Sequence, residues 1–321
     1  MMNATYCAHD VIDYLMQSVG GGAQDQEHRV LRAATHHSYR DVCAAKDWLW
    51  HVTTSTITTV ADQNTYLLPE DCSNVDSLVP PDNTTVTSYI APAEWLRLEQ
   101  SNLTLGEPTY YTVMKSDDAK TFDRWVIRIA GKVKAGIEFR YTYRRRPKPL
   151  MLMGYETQAR TGYATVTGTT ITGKNTAFPP KSAGAIFRIG TPGNYPEPMT
   201  GMYPYQEQGR IAARVDDDSL TLEVPFAGTY TDCRFVISDY LDVSPGMFTA
   251  LLTGAEMWLA RLQGKNVEGA VQMYTRDLRL AMENDVVAPI SGRRAPFDRV
   301  PDADGARYAG IYSPLGPDTG S

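Results

Sequence analysis

The chain has 321 residues, 42% of them hydrophobic, with a formal net charge of −6. That length and composition suffice for one large domain or two modest ones around a packed core, and the acidic balance argues against a dedicated nucleic-acid binder. No apolar run approaches the roughly 18 residues of a membrane span, and "MMNATYCAHD" lacks the basic-then-apolar order of a secretory leader.

Residues 6–19 read as a helix, with Val11, Ile12, Leu15 and Val19 at helical spacing. "GGGAQD" stops it, because glycine readily takes the conformations a helix end requires, and Asp25 can cap a second helix. In that helix Val30, Leu31, Ala34, Ser38, Val42 and Cys43 fall on one stripe, joined by Tyr39. Trp48 and Trp50 follow at its end. From His51 the pattern turns to β: "TTSTITTV" is rich in β-branched residues, which fit a pleated surface. A turn at Asp62 to Asn64, a short strand Thr65 to Leu68 and a Pro stop come next. A helical patch at 91–100 interrupts, with Trp95, Leu96 and Leu98 as its apolar side. "RWVIRIA" and "GIEFRYTYRRR" read as a β-hairpin around "GKVKAG". In its second arm Ile137, Phe139, Tyr141 and Tyr143 point one way, and Glu138, Arg140, Thr142 and Arg144 the other.

Residues 155–240 are short alternating segments split by Gly, Pro and Asp, the pattern of a small all-β unit. "VDDDS", Val215 to Ser219, reads as its tight turn, and Thr191 to Gly209 as a long loop that can protrude. After Ser244 the chain returns to helix. Pro245 suits a first turn, and Phe248, Leu251, Leu252, Ala255, Trp258, Leu259 and Leu262 hold the stripe. "GKNVEG" (264–269) breaks or bends it before Val271, Tyr274, Leu278 and Met282 resume. Residues 286–321 hold five Pro, four Arg and four Asp without periodicity, and read as an extended arm.

The expected fold class is therefore α+β. Residues 1–50 and 241–285 form one helical bundle. Residues 51–154 form a β-rich projection with a short helix, 155–240 an inserted all-β module, and 286–321 the arm. Trp48 and Trp50 are expected to fill the joint between bundle and projection, where large rigid rings pack two layers together.

Candidate chemistry is sparse. The cysteines Cys7, Cys43, Cys72 and Cys233 form no CxxC pair and fit no zinc spacing, so reduced thiols and folding in a cytosol are expected. His36 and His37 are neighbours on a helix, about 100° apart, and do not share a face for metal. "DDD" at 216–218 lacks the alternating acids, glycine and terminal glutamate of a calcium loop. No G-x-S-x-G, H-E-x-x-H or G-x-x-x-x-G-K-[ST] occurs. Neither catalytic residue, metal nor cofactor is expected.

Charge is unevenly placed. Residues 1–119 hold 6 Lys/Arg and 16 Asp/Glu, a net of −10, whereas 120–150 hold 10 Lys/Arg and 2 Asp/Glu, a net of +8. Arg124, Arg128, Arg140 and Arg144 can share one face of the hairpin, with Arg145, Arg146 and Lys148 at its exit. One reading has this face meet DNA or an acidic protein surface, a charge that ring symmetry would multiply. The other has it as a strand face paired with the acidic N-terminal region. In the arm, Arg293, Arg294, Phe297, Tyr308 and Tyr312 are candidate docking residues, because arginine and aromatic side chains are frequent anchors and proline limits the freedom lost on docking. A disordered terminus is the alternative.

Three stretches resemble the head-to-tail adaptor (connector) proteins of tailed bacteriophages. "KDWLWHVTTSTITTVADQNTYLLPED" has a helix ending in an aromatic pair, a Thr-rich strand, and Gln63, Tyr66, Leu68, Pro69 and Asp71 in a Q-x-x-Y-x-L-P-x-D stop. "ATVTGTTITGKNTAF…RIAARVDDDSLTLEVPFAG" is similar to short β modules of phage virion proteins. "SDYLDVSPGMFTALLTGAEMWLARLQG" is a polar lead-in to an aromatic-studded helix. Together they span about 6 to 285. The resemblance implies a structural virion protein without enzymatic activity, in a ring, usually dodecameric, beneath the portal. The ring would extend the DNA channel and give the tail a platform. It implies portal protein, tail or tail-fibre proteins and further copies of the chain as partners, with non-specific contact to channel DNA and none to membrane. The bundle would form the ring, the arm reach the portal and the β parts face the tail. A tail terminator or tail-tube component is the alternative within this class. A carbohydrate-binding or glycan-cleaving phage protein is the rival from another, suggested by the Tyr-rich loop "NYPEPMTGMYPYQ".

Overall fold

Two helices open the chain, α1 (Ala8–Val19) and α2 (Asp25–Ala44). The computed structural model describes residues 5–19, 25–79, 88–100, 110–118, 120–121, 123–130 and 135–285. Val286–Ser321 is a separate unit outside them. The side chains of Val19 and Asp25, the first helix's last stripe residue and the second's expected cap, also lie outside the description.

The next hundred residues build two small sheets. β1 (Val52–Thr58), β2 (Thr65–Leu67), β3 (Cys72–Val79) and β4 (Ser88–Tyr89) precede α3 (Pro92–Gln100), and β5 (Tyr110–Lys115), β6 (Trp125–Ala130) and β7 (Glu138–Arg145) follow it. The strand orders are β1-β7-β3 and β2-β6-β5-β4. They share a core of Ile57, Tyr66, Leu68, Ile127, Ile129, Phe139, Tyr141 and Tyr143. The predicted alternation of β7 holds, with Phe139, Tyr141 and Tyr143 buried.

The predicted β6–β7 hairpin does not form. β6 pairs with β2 and β5, whereas β7 pairs with β1 and β3. Each is an inner strand of its own sheet. Alternation fixes which face of a strand is buried but leaves its neighbours open. Leu96, expected on the apolar side of α3, is exposed, while Trp95 is buried.

A short helix α4 (Thr157–Arg160) leads into β8 (Tyr163–Thr167), β9 (Thr170–Lys174), β10 (Ile186–Ile189), β11 (Glu207–Arg214), β12 (Ser219–Leu222), β13 (Tyr230–Cys233) and β14 (Phe235–Ser238). Their order is β13-β8-β9-β12-β11-β10-β14. Only Arg234 separates β13 from β14. Its N–H donates to Thr191 O and its carbonyl accepts from Gly190 N, so one bent strand joins both ends of the sheet and closes it. Closure removes the exposed edges an open sheet would leave. Val166, Ile171, Phe187, Ile211, Leu220, Phe235 and Ile237 fill the interior. Val215–Ser219 is the β11–β12 turn, closed by Val215 N–H on Ser219 O.

The chain ends its described part with α5 (Pro245–Leu262) and α6 (Glu268–Asn284). Residues from α1, α2, α5 and α6 make one core: Val11, Ile12 and Leu15, then Leu31, Ala34 and Val42, then Ala250, Leu251 and Ala255, then Ala281. Gly254 lets three of these helices approach closely. A Cβ there would stand 2.6 Å from Ser38 Oγ on α2 and 2.9 Å from the Tyr274 ring on α6.

Candidate functional site

Two buried carboxylates, Asp239 and Asp242, and a nearly buried one, Asp10, line the seam where the helices meet the strands. Asp10 sits in the first turn of α1, where its Oδ2 accepts the Cys7 N–H at 2.8 Å. Arg188 on β10 donates two hydrogen bonds to it, at 2.5 and 3.0 Å. The Arg188 Nε donates to Gln208 Oε1, and its guanidinium lies over the Tyr205 ring at 4.6 Å. Asp239, just past β14, accepts Lys148 Nζ at 2.8 Å and the backbone N–H groups of Met151 and Leu152. Asp242 accepts Arg145 at 3.2 Å and the Trp50 indole N–H at 3.1 Å. Buried charges persist when each is paired and its remaining hydrogen-bonding capacity is met. The three clasps therefore fix how the strands seat against the helical core.

Backbone bonds join the same seam. Ala8 N–H donates to Asp239 O, Leu241 N–H donates to Tyr6 O, and His9 N–H donates to Ser238 Oγ. Burial pulls the His9 imidazole down to about 3, helped by the Arg188 charge, and pushes the Cys7 thiol up to about 12. Both are neutral near pH 7.

The two tryptophans part company. Trp48 is wholly buried in the helical core, with its indole N–H on Val42 O at 2.8 Å. Trp50 is 47% exposed and meets the seam at its edge, its indole N–H donating to Asp242 and its carbonyl accepting from Arg145.

The basic residues do not share one hairpin face, since Arg128 lies on β6 of one sheet, with Arg124 just before that strand, and Arg140, Arg144 and Arg145 on β7 of the other. Most meet acids. Arg128 pairs with Asp117 and Glu99, Arg144 with Asp47 and Asp76, and Arg145 with Asp242. Arg124 donates to Leu68 O and stands 3.9 Å from Glu70. The Arg146 backbone N–H donates to Asp71 O. Arg140 is exposed and makes no ion pair among the described residues. Arg293, Arg294, Phe297, Tyr308 and Tyr312 lie outside the described residues.

Sequence reasoning passed over Asp10, Arg188, Asp239 and Asp242. One signal was available: "GAIFRIG" carries an arginine inside a short apolar strand, and a buried arginine requires a partner.

The loop between β10 and β11 is pinned on itself. Glu197 N–H donates to Tyr203 O, Tyr205 N–H to Glu197 O, and Tyr203 N–H to the Glu197 carboxylate. Its tip exposes Met199, Met202 and Tyr203. Its other tyrosines lie beside arginines. The guanidinium groups of Arg160 and Arg234 lie over Tyr195 at 4.1 and 5.1 Å, and Arg188 covers Tyr205. Among the described residues no group of three or more His, Cys, Asp or Glu side chains is placed to hold a metal ion, and no helix is long and apolar enough to cross a membrane.

Paired charges clasp the helices to the strands, and the comparison with known families points to phage adaptors. Residues 8–157 match the model of the SU10 adaptor protein family, consistent with the head-to-tail adaptors that the sequence resembles. The match runs from the first residue of α1 to the first of α4 and takes in both open sheets. It stops short of the closed sheet and of α5 and α6. No curated protein matches the chain.

Proposed function

We propose that this chain is a head-to-tail adaptor of a tailed phage, a structural virion protein that acts by assembly. Copies form a ring beneath the portal, extend the DNA channel and offer the tail a platform. The observation that carries this reading is the adaptor-family match over residues 8–157. The helices of that stretch share their core with α5 and α6, so the matched region and the C-terminal helices form one body to which the closed sheet is clasped. In a ring each subunit makes a small contact and the assembly multiplies it. The arm, with Arg293, Arg294, Phe297, Tyr308 and Tyr312, supplies reach to the portal.

The test is the mass of the full chain alone and mixed with a phage portal. The adaptor reading expects a portal-bound complex with several copies of the chain, and expects truncation after Val287 to abolish it while the core stays folded. Assembly on a tail protein with no portal binding would instead identify a tail terminator or tail-tube component. In the Tyr-rich loop that suggested the glycan reading, guanidinium groups lie over Tyr195 and Tyr205, while Tyr203 is exposed. A glycan screen is expected to show no binding.

A further inference from the structure

A cavity of about 430 Å³ opens where α1, the start of α2, α4 and the β10–β11 loop come together. Asp13 on α1 and Glu197 on the loop each bring a carboxylate to it, from different walls. Neither makes an ion pair among the described residues. Of the residues lining the cavity, Arg160 alone is a lysine or arginine. Its guanidinium is held over the Tyr155 and Tyr195 rings, at 5.1 and 4.1 Å, and pairs with neither acid. Burial raises the Asp13 carboxyl and the nearby Glu197 charge raises it further, against the hydrogen bonds from Gln17 and Tyr155. Two like charges therefore face one space without a counter-charge.

Two imidazoles border the same space. His9 and His28 pack on the Tyr155 ring at 5.0 and 5.2 Å. His9 Nδ1 and His28 Nε2 have no hydrogen-bond partner, and His9 is only 3% exposed. Buried polar atoms are rarely left without a partner, and each exception calls for an explanation such as an absent ligand. A bare metal ion does not supply it, because no three of the described His, Asp and Glu side chains converge on one point. Acids on separate walls of a space this large suit an organic cation.

We propose that this cavity is a binding site for a primary ammonium group on an aliphatic stem. Two carboxylates outnumber the single guanidinium by one, and one monovalent cation balances them. An ammonium has three diverging N–H donors, enough to meet Asp13 and Glu197 on their different walls and leave one for a neutral imidazole nitrogen. A guanidinium, by contrast, presents a planar fork that matches one carboxylate at a time. Met16, Pro196 and the Tyr203 ring offer the stem apolar surface. A free alkylamine and a lysine of a neighbouring protein present the same chemistry. The inference goes beyond the adaptor reading and does not rest on it.

Calorimetric titration of the full chain with n-butylamine and with acetyl-lysine methylamide tests this. Saturable binding to one site is expected. Butylamine binding as tightly as the lysine derivative points to a free alkylamine, and tighter binding of the lysine derivative points to a protein lysine. Asp13→Asn and Glu197→Gln should each weaken binding by at least about ten-fold, the scale of a hydrogen bond to a charged group. Both substitutions keep an oxygen to accept from Gln17 and from the Tyr203 N–H, so the folded state is expected to survive. Arg160→Gln removes a like charge and should tighten binding. Failure of both amines to bind saturably overturns the proposal. So does binding unchanged in Asp13→Asn and Glu197→Gln, weaker binding in folded Arg160→Gln, or equal binding of the uncharged N-butylacetamide.

Discussion

The Arg188 guanidinium holds the Asp10 carboxylate by two hydrogen bonds, of 2.5 and 3.0 Å, across 178 residues of chain. Both side chains are nearly excluded from solvent, at 3% and 9% exposure. Removing one partner strands the other charge in the interior, which typically costs about 3–5 kcal/mol, whereas replacing both with apolar groups of similar volume is often neutral. Asp10→Ala should therefore lose about 3–5 kcal/mol in urea unfolding. The double variant Asp10→Leu/Arg188→Met should recover most of it. A loss under about 1 kcal/mol for Asp10→Ala would mean that water reaches the pair.

His9, one residue before Asp10, makes stability depend on pH. Burial and the Arg188 and Arg160 charges depress its imidazole to about 3, against the opposing pull of Asp10, and its ring stacks on Tyr155 at 5.0 Å. The unfolded chain takes up this proton near pH 6.5. Between the two values the unfolded state binds more protons, so stability present above about pH 6.5 is lost as pH falls, at about 1.4 kcal/mol per unit. Between about pH 6 and 5 most exposed carboxylates remain ionised. The His36 imidazole, also lowered by burial, adds to the slope of wild type and variant alike there, so the difference between them reports His9. Denaturant titrations across that window should show a shallower slope for His9→Phe than for wild type. Parallel slopes would show that His9 is already protonated in the folded protein.

Part of this fold is legible in the sequence. Helical spacing picks out Val11, Ile12 and Leu15 on α1 and Leu31, Ala34, Ser38 and Val42 on α2, because one face of each meets the core. Strict alternation picks out the buried face of β7. What alternation lacks is the identity of neighbours. β6 and β7, adjacent in sequence and both apolar on one face, read as a hairpin, yet each takes partners from far back in the chain, β6 from β2 and β7 from β1 and β3, with pairs from Leu67↔Val126 to Val52↔Arg144. The seam is illegible for the same reason. Asp239 and Asp242 read as a polar lead-in to a helix, and nothing local reveals that Lys148 and Arg145 end beside them. The clustering of basic residues at 120–150 is plain, but its targets are acids scattered from Asp47 to Asp242 that only the folded chain brings into range.

Trp48 and Trp50 sit two residues apart and should respond very differently to truncation. Trp48→Ala empties a fully buried ring site and removes the bond to Val42 O, a change in the class that costs about 3–5 kcal/mol. Trp50 is half in solvent and gives up one hydrogen bond to Asp242, worth about 1 kcal/mol. Thermal and urea unfolding of the two variants should separate them by at least about 2 kcal/mol. Equal losses would mean that Trp50 packs more deeply than its exposure implies.

Charge reversal should also sort the basic residues. Arg144 lies 3.2 Å from both Asp47 and Asp76, and Arg144→Glu would set three carboxylates together. Losing two part-exposed pairs and adding repulsion should cost roughly 1–2 kcal/mol. Arg140→Glu, at an exposed position without an ion pair among the described residues, should stay within about 0.5 kcal/mol of wild type. Urea midpoints for the two variants check the contrast. A costly Arg140→Glu would reveal a partner for Arg140 outside the described residues.

Gly254 sets two known effects against each other. In the middle of α5, alanine is intrinsically better than glycine by about 1 kcal/mol. The added Cβ, however, would lie 2.6 Å from Ser38 Oγ and 2.9 Å from Tyr274 Cε2. Ser38 cannot easily turn away, because its hydroxyl donates to Leu251 O at 2.7 Å and the side chain is wholly buried. Overpacking of this kind costs about 1–3 kcal/mol, so Gly254→Ala should destabilise despite its better propensity. Adding Ser38→Ala removes the closer clash together with a hydroxyl that would otherwise lose its acceptor. The double variant should therefore be more stable than Gly254→Ala alone, by about 1 kcal/mol. If the second substitution instead adds its own cost to the first, the two positions are not in contact and the close approach of α2 to α5 is wrong.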